Sequence, residues 1–128
     1  MKSLKIIALV AIAMLLASAV VAMNHTPEDR GKALFNDTKL GGGTAGKSCN
    51  TCHPDGKGLE GVGSKTMWKN PGGEFKSLEE AINVCITLAN KGKALDVKSE
   101  QMKDLVSYLK SIPSKGAAPA KKKAAVGC

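Results

Sequence analysis

The chain has 128 residues and a formal net charge of +8, which leaves room for one small domain and excludes a multidomain enzyme. Most of the positive excess lies near the two ends of the chain, at Lys2, Lys5, Lys115, Lys121, Lys122 and Lys123. The body is therefore close to neutral, and no basic stripe interleaved with aromatic residues supports nucleic-acid binding. Two Phe, one Trp and one Tyr are few rings for a domain that must build its own core, so a large apolar cofactor is expected to complete that core.

The first 22 residues have the order of an export signal. Lys2 and Lys5 precede an uncharged apolar run, residues 6–22, that ends in small residues. Cleavage after Ala22 is predicted, and the alternative is an uncleaved membrane anchor, because the run reaches the lower limit of about 17 residues for a spanning helix. Either outcome places the domain, residues 23–113, in the periplasm or another exported location.

The last segment, residues 114–128, is rich in Ala, Lys, Pro and Gly. It has too little apolar surface to fold, so we expect a disordered tail. An alternative is that the lysines tether the protein to anionic lipid or to an acidic partner, with Cys128 free to form an intermolecular disulfide.

Three helices are predicted from capping residues and apolar periodicity. Thr26 and Pro27 begin the first helix, which extends to about Phe35. Ser77 begins the second helix, which ends near Lys91 and Gly92. Ser99 begins the third helix, and Pro113 ends it. The inward faces are predicted to carry Leu78, Ile82, Cys85 and Ala89 on the second helix, and Met102, Leu105, Val106, Leu109 and Ile112 on the third.

The segments between these helices are rich in glycine. Residues 36–48 are predicted to form a flexible loop, and residues 54–73 a longer irregular loop wrapped around a bound group. No run alternates between apolar and polar residues in the manner of a strand. The sequence therefore predicts an all-α domain.

The strongest chemical signal is Cys49-Asn50-Thr51-Cys52-His53. Two cysteines at this spacing can each add to a vinyl group of one haem, and the adjacent histidine can then bind the iron. A thioredoxin-like redox pair would require a preceding strand, and a zinc site would require two further ligands at paired spacing, whereas Cys85 and Cys128 lie in distant segments. The motif predicts one covalent haem c, with Cys49 and Cys52 as thioether residues and His53 as the proximal ligand.

Residues 41–48 also match the phosphate-binding loop pattern Gly-x-x-x-x-Gly-Lys-Ser. That motif works only between a strand and a helix whose N-terminus points at phosphate. Neither flank is predicted here, so we interpret the match as coincidence in a glycine-rich stretch.

Together with the haem-attachment motif at residues 49–53, residues 28–112 resemble a class I c-type cytochrome domain. The resemblance implies a close crossing of the first and last helices, with Gly31 and Phe35 on one and Tyr108 and Leu109 on the other. It implies a small fold of three main helices around one covalent haem.

Members of that family usually supply a methionine ligand just before the last helix, and residues 90–98 contain none. The segments around Cys85, Gly92 and Met102 resemble cytochrome domains of sulfur oxidation related to thiosulfate dehydrogenase. That resemblance implies Cys85 as the distal ligand. Met102 is the alternative, while Met67 has a short tether to the haem motif and His25 lies beside the predicted cleavage site, so both are weaker candidates.

Three functions remain open from the sequence. The first is a one-electron carrier that docks with redox partner proteins through a charge-steered surface. The second is a haem subunit or enzyme of thiosulfate-type sulfur oxidation, for which a partner chain would supply a second haem. The third is a gas or redox sensor with a displaceable sixth ligand. No acid, base and nucleophile cluster supports hydrolytic catalysis.

Overall fold

A computed structural model describes residues 25–115 of the chain. Four α-helices cover Pro27–Asn36 (α1), Cys49–Cys52 (α2), Leu78–Leu88 (α3) and Glu100–Ser111 (α4). Strands Trp68–Asn70 (β1) and Gly73–Phe75 (β2) form one hairpin, and short 3-10 turns occupy Leu40–Gly42, Pro54–Gly56 and Val62–Ser64. No helix within residues 25–115 is long and apolar enough to cross a membrane. The predicted export signal, its alternative as an anchor, and the predicted tail beyond Lys115 lie outside the described residues.

Helix α1 begins and ends close to its predicted bounds. The Thr26 side chain accepts a hydrogen bond from the Asp29 N–H at 3.2 Å, and the Asp29 carboxylate accepts one from the Thr26 N–H at 3.3 Å. Pro27 adds a backbone already set for a helix, and Glu28 lies in the first turn where the helix dipole favours a negative charge.

Helices α1 and α4 cross at Gly31. A Cβ atom at this position would lie 2.0 Å from the Asp104 carbonyl oxygen and 2.7 Å from Tyr108 Cβ, so only glycine permits the approach. Beside the crossing, the rings of Phe35 and Tyr108 meet edge to face with centroids 5.1 Å apart. The predicted crossing is confirmed.

An ion pair fixes the same crossing. The Arg30 guanidinium donates two hydrogen bonds of 2.7 Å to the buried Asp104 carboxylate and a third of 2.8 Å to the His25 carbonyl oxygen. The pair raises the pKa of Arg30, chiefly through the hydrogen bond to Asp104. This fork geometry sets the rotation of α1 against α4 as well as their distance.

Helix α4 contributes several buried side chains to the core. Its buried residues include Met102, Leu105, Val106 and Leu109, which are four of the five predicted for the inward stripe. The fifth, Ile112, follows the last helical residue and is only partly buried. Phe35, Leu40 and Ile86 pack with them, and each is only 1% exposed. Ser99 caps the helix by accepting the Met102 N–H at 3.3 Å.

Helix α3 begins after Ser77 as predicted but ends at Leu88, three residues before Lys91. Lys91 has a left-handed φ of 55°, and the Gly92 N–H donates to the Ile86 carbonyl oxygen at 3.1 Å. The Asn90 carbonyl oxygen accepts the N–H groups of Thr44 and Ala45 instead of continuing the helix. Contacts from the glycine-rich loop therefore end α3 earlier than its own periodicity indicates.

The prediction that no strand is present is wrong. Trp68 pairs with Phe75, Lys69 with Glu74 and Asn70 with Gly73 in an antiparallel hairpin closed by Pro71 and Gly72. Each strand has only three residues, too few for an alternating pattern to stand out in the sequence. The domain is mainly helical, with this hairpin lying against α3.

Candidate functional site

The segment Cys49–Cys52 forms a single helical turn that holds the two cysteines. The Ser48 N–H donates to Thr51 Oγ1 at 3.0 Å, and the His53 N–H donates to the Cys49 carbonyl oxygen at 2.9 Å. Both cysteines, as well as Cys85, are free thiols. The turn thus presents Cys49, Cys52 and His53 to one cavity.

The imidazole of His53 is held through one ring nitrogen. Its Nδ1 lies 3.1 Å from the Lys57 carbonyl oxygen, so this nitrogen carries the proton and donates. Nε2 then has the free lone pair that a metal ligand needs. A Cβ at Gly58, whose φ is +84°, would lie 3.7 Å from Nδ1, so the chain turns closely behind the ring.

The cavity has a volume of about 390 Å³, within the range of roughly 300–1,000 Å³ found for cofactor and ligand sites. Its walls come from the α2 turn, the hairpin, the inner face of α3 and the core side of α4. Most lining side chains are apolar; they include Phe35, Leu59, Val62, Trp68, Leu78, Ile82, Leu105 and Leu109. Such a lining suits a group with a large apolar surface.

Cys85 lies in the wall of the same cavity, on α3. Burial, together with the nearby Cys52, raises the pKa of the Cys85 thiol. Burial also raises the pKa of Cys49 to about 11, with a smaller contribution from Cys85. The neutral thiol of Cys85 is therefore favoured, and a thiolate at this position would be stabilised by a neighbouring cation.

The other candidate ligands lie elsewhere. Met102 is 0% exposed, belongs to the hydrophobic core and does not line the cavity. Met67 is 45% exposed on the surface, and His25 is exposed beside the start of α1. The structure therefore brings Cys49, Cys52, His53 and Cys85 together and leaves Met102, Met67 and His25 apart from them.

Two asparagines in the cavity wall were missed by the sequence analysis. The Asn70 amide nitrogen lies 3.8 Å from Cys85 Sγ, and the buried Asn90 amide nitrogen has no hydrogen-bond partner. The dipeptide Asn70-Pro71 is a turn signal that could have drawn attention to the first. No pattern in the sequence marks the second.

These features fit a haem. Three thiols and an imidazole around an apolar cavity match its vinyl groups, its iron and its flat hydrophobic ring, and the unpartnered Asn90 amide can donate to a carboxylate of the group. Across residues 25–115, no three His, Cys, Asp or Glu side chains are grouped closely enough to hold a metal ion by themselves. The 3-10 turn Leu40–Gly42 and a loop, rather than a strand, precede Lys47 and Ser48, so the match to a phosphate-binding loop lacks its required flank.

Comparison with known proteins gives a consistent result. The sequence model of the cytochrome c domain of SoxA/TsdA matches residues 30–118. The fold is similar to the crystal structure of SoxXA from P. pantotrophus, with a TM-score of 0.56 and 25% sequence identity. The similar region covers 74% of this chain and 38% of that chain, so this chain spans well under half of its structural neighbour. No curated protein gave a significant match.

The protein thus contains a c-type cytochrome domain, the class that binds haem c covalently and transfers electrons. More narrowly, the chain belongs to the SoxA/TsdA cytochrome c domain family and is related to the cytochromes of sulfur oxidation.

Proposed function

We propose that this protein is an exported one-electron carrier with a single covalent haem, whose iron is bound by His53 and Cys85. The observation that carries the proposal is the shared cavity, which is lined by the attachment cysteines, the histidine and the Cys85 thiol. The order of residues in the first 22 positions supports export, and the single Cys-x-x-Cys-His motif supports one haem.

Each residue of the site has a defined task. The Cys49 and Cys52 thiols would hold the haem covalently as thioethers. The Lys57 carbonyl holds the His53 ring so that Nε2 can bind metal. When bound, haem supplies an iron that alternates between the ferric and ferrous states, and the apolar lining keeps water away from it.

Burial favours Cys85 over Met102 as the distal ligand. Cys85 already lies in the cavity wall, whereas Met102 would have to leave the hydrophobic core to reach the cavity. Axial ligation shifts haem potential over about 0.8 V, and an anionic thiolate stabilises ferric iron. The proposed carrier therefore works at low potential.

The test is an optical and magnetic-resonance spectrum of the haem-loaded protein beside two variants. Cys85→Ser should lose the ferric thiolate signature and shift the midpoint potential upward. Met102→Leu, a volume-conserving change in the core, should retain the spectrum while costing less than about 1.5 kcal/mol of stability. A thiolate spectrum that persists in Cys85→Ser, or one that disappears in Met102→Leu, would refute the proposed ligation.

Family membership favours a second candidate, a haem subunit in sulfur-compound oxidation. In that role the carrier would receive electrons from a sulfur substrate within a complex that supplies a further haem. Lys65 and Lys69 line the cavity and provide positive charge for an oxyanion, although Lys69 also pairs with Glu74.

Two measurements separate the candidates. Reduction of the haem by thiosulfate alone would favour the sulfur-oxidising role, whereas reduction only through a redox partner protein would favour the carrier. Fast binding of carbon monoxide to the reduced protein would point instead to the sensor, because a carrier retains both axial ligands.

A further inference from the structure

We propose that Asn70 is a positioning residue that donates an amide N–H to the Cys85 sulfur and thereby sets the strength of the iron–sulfur bond. This inference rests on the proposed ligation by Cys85. It assigns a function to the hairpin, because Asn70 is the last residue of β1.

The orientation of the Asn70 carboxamide is fixed by its partners. The Gly72 backbone N–H can only donate, and it lies 2.9 Å from Asn70 Oδ1. The Ala81 carbonyl oxygen can only accept, and it lies 3.0 Å from Asn70 Nδ2. The oxygen and nitrogen of the amide therefore cannot be exchanged without losing both bonds.

The Asn70 amide nitrogen carries two hydrogens and can therefore donate two hydrogen bonds. One N–H is used by the Ala81 carbonyl, and Cys85 Sγ lies 3.8 Å from the same nitrogen. This separation suits a hydrogen bond to sulfur, whose atomic radius is larger than that of oxygen. Ala81 and Cys85 are one helical turn apart on α3, so a single side chain spans both.

The hairpin holds Asn70 at this distance from α3. A Cβ at Gly72 would lie 2.3 Å from Val84 Cγ1, so the turn is pressed directly against the helix. At the other end of β1, the Trp68 indole N–H donates to the Val62 carbonyl oxygen at 3.0 Å and ties the strand to the core. Contacts at both ends of β1 thus restrict movement of Asn70 away from the sulfur.

A hydrogen bond to a thiolate ligand draws electron density from the sulfur. In the haem-loaded protein the iron–sulfur bond would weaken, the ferric state would lose part of its stabilisation, and the reduction potential would rise. Asn70 would then moderate the lowering of potential that the thiolate causes.

The experiment uses the haem-loaded protein and Asn70→Leu, which has a similar volume and no N–H donor. The midpoint potential should shift downward, and the iron–sulfur stretching band in resonance Raman spectra should move to higher frequency. Asn70→Gln retains a donor and should restore part of both values. If the Asn70→Leu variant does not retain haem, the Asn70→Asp variant is used in its place. Its carboxylate still accepts the Gly72 N–H but has no N–H to donate to the sulfur. The Raman band should again move to higher frequency.

Asn83→Leu is the matched control. Asn83 lies on the same helix and makes two bonds through its amide, at 2.9 Å to the Leu95 carbonyl and at 2.8 Å from the Leu95 N–H, but it does not line the cavity. Its loss should reduce stability and leave the potential and the Raman band in place. An equal shift in this control would show a general structural effect and overturn the inference.

A double-mutant cycle separates this inference from the proposed function. In a Cys85→Ala background, Asn70→Leu should shift the potential little, since its sulfur partner is gone. If Cys85→Ser retains the thiolate spectrum, the proposed ligation itself fails. If Cys85→Ser loses that spectrum while Asn70→Leu changes neither readout, only the role of Asn70 is overturned.

Discussion

The two ends of this domain are held together in different ways. At the α1–α4 crossing, Tyr108 packs against both Gly31 and Phe35, and Arg30 is paired with Asp104. At the other end, the hairpin, α3 and the inner side of α4 face a cavity of about 390 Å³ across largely apolar walls. The crossing is stabilised by the protein's own atoms, whereas the cavity walls need a bound group to bury their surface. The protein's own side chains thus fill the core at the crossing, and haem is expected to fill the cavity at the other end.

The largest expected effect comes from removing the haem attachment with Cys49→Ala/Cys52→Ala. The protein should carry no covalent haem, and its free energy of unfolding should fall on the order of 5 kcal/mol, because the cavity loses its filling. Mass spectrometry and denaturant unfolding measure both. Hydrogen exchange should accelerate more in α3 and the hairpin than in α1 and α4. Uniform acceleration across all four elements would refute the contrast between the two ends.

A smaller loss is expected at the crossing itself, from Gly31→Ala. Alanine normally favours a helix over glycine by about 1 kcal/mol, yet here its Cβ would lie 2.0 Å from the Asp104 carbonyl oxygen. We therefore expect a net destabilisation of about 3 kcal/mol, with the haem spectrum of the folded protein unchanged. Denaturant unfolding checks this value, and Lys32→Ala, exposed on the same helix, should change stability by less than about 0.5 kcal/mol. A stabilised Gly31→Ala variant would contradict the close approach.

The smallest effect is expected at the start of α3, from Ser77→Ala. Ser77 accepts the Glu80 N–H at 3.4 Å and donates to the Glu79 carboxylate at 2.7 Å, so its loss should cost about 1 kcal/mol at neutral pH. The hydrogen bond from Ser77 is the main cause that lowers the pKa of Glu79 below its ordinary value of 4.5. A carboxylate whose pKa is lowered in the folded state stabilises the fold at pH values above 4.5. This contribution is lost as the pH falls through the folded-state pKa.

The cost of Ser77→Ala should therefore shrink in acid, as measured by unfolding at neutral pH and at about pH 3. Ser99→Ala is the matched control on α4, because Ser99 caps its helix and donates to the Asp96 carbonyl oxygen rather than to a carboxylate. Its cost should not show the same acid dependence. Equal pH dependence in the two variants would rule out the role assigned to Glu79.

Local sequence signals were sufficient to predict where the three main helices begin. Thr26, Ser77 and Ser99 mark helix starts that the structure retains, because a cap depends only on residues three or four positions away. The end of α3 was predicted too late, since the loop whose N–H groups bond to the Asn90 carbonyl oxygen is distant in sequence.

The candidate site was predictable in part. The haem motif is contiguous, so Cys49, Cys52 and His53 could be identified together. Asn70 and Asn90 could not, because their significance depends on atoms contributed by other segments.

The sequence by itself determined the helix starts and the haem-attachment motif, because each depends on local chemistry, while the glycine at the crossing was implied by the resemblance to class I cytochromes c. Only the tertiary structure decided that Cys85 lines the cavity while Met102 is buried in the core, and that a three-residue strand brings Asn70 to the sulfur. Both cysteine and methionine satisfy the same apolar periodicity on a helix face. Which of them reaches the cofactor depends on how the helices and the hairpin pack around it.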